Sequence, residues 1–268
     1  MFRKLSLQFH GFVFGMSHAR DGIDVNLFKE YIFNFSVGSN DLFMIYHLLN
    51  KIYRENDNFI SVKYCILELP YYIFNWDCSK SNRGSGRINC YTILEGEENQ
   101  YHNLETYEGE LIRQYQIYEQ MFREKKLHND SVCNMGNYDV ENIIANQDYM
   151  EISEIWRMQY EETIKENILY FKQIISLLHQ MNSEMKIYIV VFPQNPRFYH
   201  MHEDIIEKAR NLFYEIINDN RSENVNILDY FKFYDNREDY FKDDCHLNIL
   251  GRDLFTKEIV GRIEILGH

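Results

Sequence analysis

The chain has little proline, little glycine and no long apolar run, and each shortage removes a class of protein. Its 268 residues include three prolines and twelve glycines, with no Ser/Gly tract, so nothing reads as an interdomain linker. No internal repeat recurs at the periods that mark solenoids or propellers. The longest apolar run of the second half, 187–192, is far shorter than the roughly twenty residues of a membrane span, and the first residues lack a secretory apolar region. Five cysteines, at 65, 78, 90, 133 and 245, form no C-x-x-C pair and leave one over in any full disulfide scheme, so reduced thiols are the simpler account. These absences lead us to expect a cytoplasmic protein with no membrane span. Glycine-rich phosphate loops of the G-x-G-x-x-G or G-K-[ST] kind are also missing, and no cofactor is expected. His200 and His202 stand two apart and Asp243-Asp244-Cys245-His246 holds three ligand types. No complete zinc spacing is present, so no metal is expected.

The composition narrows the partners. A net charge of −13 repels phosphate backbones and argues against a general nucleic-acid binder. Twenty-one tyrosines and nineteen phenylalanines are unusually many. Exposed ones can stack on sugar rings or line an acyl pocket, and buried ones pack a core.

Hydropathy patterning predicts alternating strands and helices. Residues 11–14 read as a first strand, 31–35 as a second, 64–69 as a third stopped by Pro70, 186–192 as a fourth and 225–228 as a fifth. Leu42, Ile45, Leu49 and Ile52 mark one face of a helix that Ser39 or Asn40 can cap. Ile164, Ile168, Phe171, Ile175 and Leu178 mark a second helix, residues 202–218 a third, and Leu247, Leu250, Leu254 and Ile259 line a last one. Crossovers of this length imply a parallel sheet covered on both faces: one α/β domain over 1–268, flavodoxin-like and three-layered α/β/α, with about five strands. The polar, tyrosine-rich stretch 75–154, with a helix over 105–125, reads as a helical insertion or lid on that core.

Two short motifs carry chemistry. Gly15-Met16-Ser17-His18 follows the apolar run Phe12-Val13-Phe14, so a glycine turn presents Ser17 at a strand's carboxyl edge, where parallel sheets collect their active sites. Asp243-Asp244-Cys245-His246 supplies an acid and an imidazole in D-x-x-H spacing. A serine hydroxyl needs a neighbouring imidazole to take its proton, and the imidazole needs a carboxylate to fix its tautomer. Ser17, His246 and Asp243 are therefore the candidate triad. The bland readings are a helix cap for Ser17 and a surface turn for Asp243 and His246. Other residues are open between roles. His18 contacts substrate or is structural; Arg20 and Asp21 clamp a polar substrate or hold their loop; Glu68 is a site carboxylate or caps a backbone N–H.

The order of these motifs resembles the SGNH/GDSL hydrolase superfamily, in particular branches with a G-x-S-H nucleophile block that are associated with cell-envelope and capsular polysaccharide acyl chemistry. The resemblance covers the core and excludes the insertion. It implies that Ser17 is the nucleophile, Asp243 the orienting acid and His246 the base of a terminal D-x-x-H-L-N block. Asn34-Phe35-Ser36-Val37-Gly38 looks like the second block, so the Gly38 N–H joins that of Ser17 around the oxyanion. The chain departs from the family at the third block: where G-x-N-D supplies an asparagine donor, this sequence reads Glu68-Leu69-Pro70-Tyr71. Asn40 is a candidate replacement donor. The expectation is a serine esterase or O-acyltransferase acting on an acylated carbohydrate; the alternative is an inactive fold that binds a glycan or a protein partner.

Overall fold

The computed structural model describes residues 9–56, 58–78, 156, 160–220 and 222–267. It contains a parallel five-stranded sheet. In chain order the elements are β1 (Gly11–Phe14), α1 (Ser17–Gly22), β2 (Ile32–Asn34), α2 (Leu42–Glu55), β3 (Tyr64–Glu68), α3 (Glu161–Met181), β4 (Lys186–Val191), α4 (Pro196–Met201), α5 (Glu203–Asn220), β5 (Val225–Asp229) and α6 (Ile249–Leu266). The strand order is β2-β1-β3-β4-β5, all parallel, which is the flavodoxin-like order.

Strands buried on both faces explain the near-continuous apolar runs. Side chains alternate between two cores: Phe12, Phe14, Cys65, Leu67, Ile187 and Ile189 face the core under α2, α3 and α5. Val13, Tyr64, Ile66, Tyr188 and Val190 face the core under α1 and α6. Among the described residues, the expected strands and helices are present with small shifts at their ends. Two details differ from the sequence reading. The cap of α2 is Asp41, whose Oδ1 accepts from the Met44 N–H at 2.8 Å. Ser39 instead adopts the left-handed φ of 55°, and the Asn40 amide holds the Gly15 carbonyl at 2.9 Å.

The last helix also buries a different face. Leu250 and Leu254 are exposed, whereas Gly251, Phe255, Ile259 and Ile263 are buried. Leu247 is buried too, but it precedes the helix, which Asn248 caps through the Gly251 N–H at 3.0 Å.

Of the proposed insertion, 79–155 lies outside the described residues, as does the helix expected at 105–125. Residues 75–78 are buried against the main body, where the Cys78 N–H donates to Asp41 Oδ2 at 2.8 Å. No helix among the described residues is long and apolar enough to cross a membrane.

Candidate active site

The interior strand β1 ends at Phe14, and its ladder with β2 continues into the turn: the Val37 N–H donates to the Gly15 carbonyl at 3.2 Å. Gly15 is glycine because of what lies against it. A Cβ there would stand 2.6 Å from Glu68 Oε2 and 2.7 Å from Glu68 Cβ. Met16 takes the N-cap position of α1 without a side-chain cap, so Ser17 is the first residue of the helix, and it is half-buried.

The second motif reaches this turn from 229 residues away. It is a tight loop ahead of α6, in which the N–H groups of Cys245 and His246 donate to Asp243 Oδ1 at 3.0 and 2.7 Å. Asp243 thus organises the turn and the ring together. Its Oδ2 lies 2.8 Å from His246 Nδ1, and His246 Nε2 lies 2.7 Å from Ser17 Oγ. With Nδ1–H donating to the carboxylate, Nε2 is the nitrogen left to accept the serine proton. Ser17, His246 and Asp243 are one hydrogen-bonded chain, so the reading of Ser17 as a mere helix cap is overturned. Burial works against the Asp243 charge, but the hydrogen bond and charge of His246 and the two backbone donors outweigh it, holding the carboxyl at about 2.

Arg20 and Asp21 take a loop-holding role. The Arg20 guanidinium grips Asp21 at 2.5 and 2.9 Å, and Lys242 Nζ reaches the same carboxylate at 3.1 Å. Lys242 immediately precedes Asp243, so this buried carboxylate ties α1 to the loop carrying acid and base. From the other side, Asn195, just after β4, donates its side-chain amide to the Asp243 carbonyl at 3.2 Å and its backbone N–H to the Asp244 carbonyl at 3.2 Å. Sequence reasoning missed both Lys242 and Asn195. Asn195-Pro196 did carry a helix-start signature, but nothing in it pointed to the loop.

Glu68, the last residue of β3, is wholly buried. Its Oε2 accepts from the Met16 N–H at 2.6 Å and its Oε1 from His18 Nδ1 at 3.1 Å. It is therefore both a cap for a backbone N–H and a carboxylate of the site. His18 packs toward the triad, its ring centroid 5.3 Å from that of His246 with the planes 31° apart. Burial pushes the His18 ring down, yet the hydrogen bond and charge of Glu68, helped by Asp243 and Asp244, shift it upward overall.

Cys245 Sγ lies 3.4 Å from His246 Nδ1, but burial, with Asp243 and Asp244 beside it, pushes its thiol well above the ordinary range. It is a neutral neighbour. Among the described residues, Cys65, Cys78 and Cys245 are thiols that form no disulfide. His18, Cys245 and His246 offer ligand atoms within 4.8 Å of one another, as do Asp243, Asp244 and Cys245. Both ring nitrogens of His246 and Nδ1 of His18 already hold hydrogen bonds, so a metal ion there would have to displace Ser17 or a carboxylate. His200 lies apart, 3.8 Å from Asp235, exposed on the surface.

No family model matches this chain, and no curated protein does. Among solved structures it is similar to the lipase Lip_vut3 from a goat rumen metagenome, at 11% identity and a TM-score of 0.46, with 94% of this chain and 96% of that one covered. The assignment of the fold rests on the strand order and register themselves.

Proposed function

We propose that the protein is a serine acyl hydrolase or O-acyltransferase of SGNH type acting on an ester, with the acyl group carried on a carbohydrate. The observation that carries this reading is the unbroken chain from Ser17 Oγ to His246 and on to Asp243, at 2.7 and 2.8 Å. Ser17 Oγ attacks the acyl carbon while its proton passes to His246 Nε2. The carbonyl oxygen becomes an oxyanion, facing the N–H groups of Ser17 and Gly38 and the amide of Asn40. Collapse breaks the ester C–O bond, His246 returns the proton to the departing alkoxide, and an acyl-Ser17 intermediate remains. Water then gives hydrolysis; a sugar hydroxyl gives transfer.

A cavity of about 620 Å³ lies beyond the carboxyl ends of β3 and β5, but Ser17, His246 and Asp243 do not line it, and its Tyr71, Tyr199 and Phe231 rings are almost wholly buried. The carbohydrate part of the reading therefore rests on the motif resemblance and not on this cavity.

The competing reading is a silent glycan-binding module, favoured by the absence of an asparagine at the end of β3. A fluorophosphonate probe separates the two: labelling of the wild type and not of Ser17→Ala supports the serine enzyme, and labelling of neither supports the binding module. Because only the neutral imidazole accepts the serine proton, labelling slows as the pH is lowered and His246 is protonated. A rate unchanged across the acid side would count against His246 as the base.

A further inference from the structure

We propose that His18, oriented by Glu68, is a further oxyanion donor of this site, beside the N–H groups of Ser17 and Gly38 and the Asn40 amide, and supplies what the missing asparagine at the end of β3 would have given. The inference rests on the serine-ester reading above and adds a catalytic residue to it.

The strand that ends in Glu68 brings a wholly buried acceptor to a place where a donor is wanted. A carboxylate cannot stabilise an oxyanion directly. It can, however, hold something that does. One Glu68 oxygen fixes the nucleophile turn through the Met16 N–H at 2.6 Å, and the other fixes the next side chain, His18, at 3.1 Å. The side-chain-free Gly15 makes the space for this contact, since a Cβ would fall 2.6 Å from Glu68 Oε2. His18 adjoins the nucleophile in sequence and packs on the base in space, with ring centroids 5.3 Å apart. Its ring is 5% exposed, so it is not held there for solvent.

The chemistry follows from the tautomer. With Nδ1–H given to Glu68, a neutral ring offers only a lone pair at Nε2, whereas the imidazolium offers an N–H. The groups facing the ring favour the charged form: Glu68 from β3, and Asp243 and Asp244 from the loop ahead of α6, opposed by burial. Cys245 and His246 face it from the same loop, the first as a neutral thiol. During attack His246 gains the serine proton, so two imidazolium rings flank one oxyanion. Each has its own carboxylate, Glu68 for His18 and Asp243 for His246, which keeps the pair from repelling unopposed. His18 cannot substitute as the base, because Ser17 Oγ is bonded to His246 Nε2.

The test reads the rate of Ser17 phosphonylation by a fluorophosphonate, a reaction that builds negative charge on the phosphoryl oxygen in the same hole. His18→Leu should slow labelling by about 10²- to 10³-fold, the usual effect of losing one oxyanion donor. His18→Gln, which restores a neutral N–H donor, should recover at least about tenfold of that loss. The wild-type rate should also fall at alkaline pH as His18 deprotonates; Glu68→Gln should move that fall to lower pH, and His18→Gln should abolish it. A purely structural His18 would lose labelling together with melting temperature and leave the alkaline limb unmoved. Labelling of folded His18→Leu within threefold of wild type, or a wild-type profile without an alkaline fall, overturns the inference. Should His18→Leu fail to fold, the profiles of wild type and His18→Gln decide it. A wild type that never labels at Ser17 overturns the serine reading itself, which is a different outcome.

Discussion

Gly15 shows how closely this site is packed at the level of single atoms. Gly15→Ala asks for no forbidden backbone conformation, yet its Cβ would overlap the Glu68 side chain at 2.6 and 2.7 Å and crowd Ala19 Cβ at 3.1 Å. Glu68 is enclosed and cannot swing away, so the Met16 and His18 hydrogen bonds would break first. We expect a loss of about 1–3 kcal/mol, the usual scale of overpacking, measured by urea unfolding, together with slower Ser17 labelling. Asp243→Asn tests the triad separately. The amide no longer accepts from Nδ1–H as a carboxylate does, the other tautomer gains ground, and turnover should drop on the order of 10⁴-fold with little change in fold. Ser17, Asp243 and His246 were legible in the sequence because a motif needs only residue type and spacing. The Glu68–His18 pair was legible only as two open questions, since which side chain a buried carboxylate faces depends on packing across 50 residues of chain.

Between elements, the carboxylate of Asp21 decides whether the two halves of the site stay in register. It is 4% exposed and takes three charged hydrogen bonds, two from Arg20 and one from Lys242. Asp21→Asn removes the charge while keeping the shape, and a hydrogen bond to a charged group is worth about 1.5–3 kcal/mol, so stability should fall by that order. Labelling should fall as well, because Lys242 leads straight into Asp243; a variant that is destabilised but labels at the wild-type rate would show that the clamp serves the fold alone. Local geometry of this kind also explains the two elements misread from the sequence. Ser39, Asn40 and Asp41 are all plausible caps for α2, and the choice falls to Asp41 because Asn40 is engaged by the Gly15 carbonyl and Ser39 turns the chain. In α6 the leucines suggested one face, but the helix packs through Gly251, where a Cβ would collide with the Tyr240 carbonyl. Phe255, Ile259 and Ile263 do mark the buried face, but the glycine that completes it gives no hydropathy signal, and Leu250 and Leu254 draw the reading to the neighbouring one.

For the molecule as a whole, strand count and parallel direction follow from apolar runs separated by helices. The order β2-β1-β3-β4-β5 is that of the expected flavodoxin-like fold, although apolar runs alone do not say which edge each crossover selects. That order places β1 and β3 side by side, and with them the nucleophile turn and Glu68. The same placement gives global stability a pH dependence with two limbs. Asp243 and Asp21 are held below their ordinary value of 3.8, so their contribution is complete above that pH and is lost as pH falls below it, for Asp243 through about 2. His18 is shifted the other way, above 6.5, so its contribution is complete below 6.5 and is lost as pH rises through its folded value. The net charge of −13 at pH 7 adds self-repulsion on the alkaline side. The urea midpoint should therefore peak between about pH 4 and 6.5. In Asp243→Asn or Asp21→Asn the acid limb should flatten, and in His18→Gln the alkaline limb should flatten while the acid limb stays. A midpoint that climbs steadily to pH 9 in the wild type would mean that His18 does not gain charge on folding, and the Glu68–His18 pair would then lose its electrostatic basis.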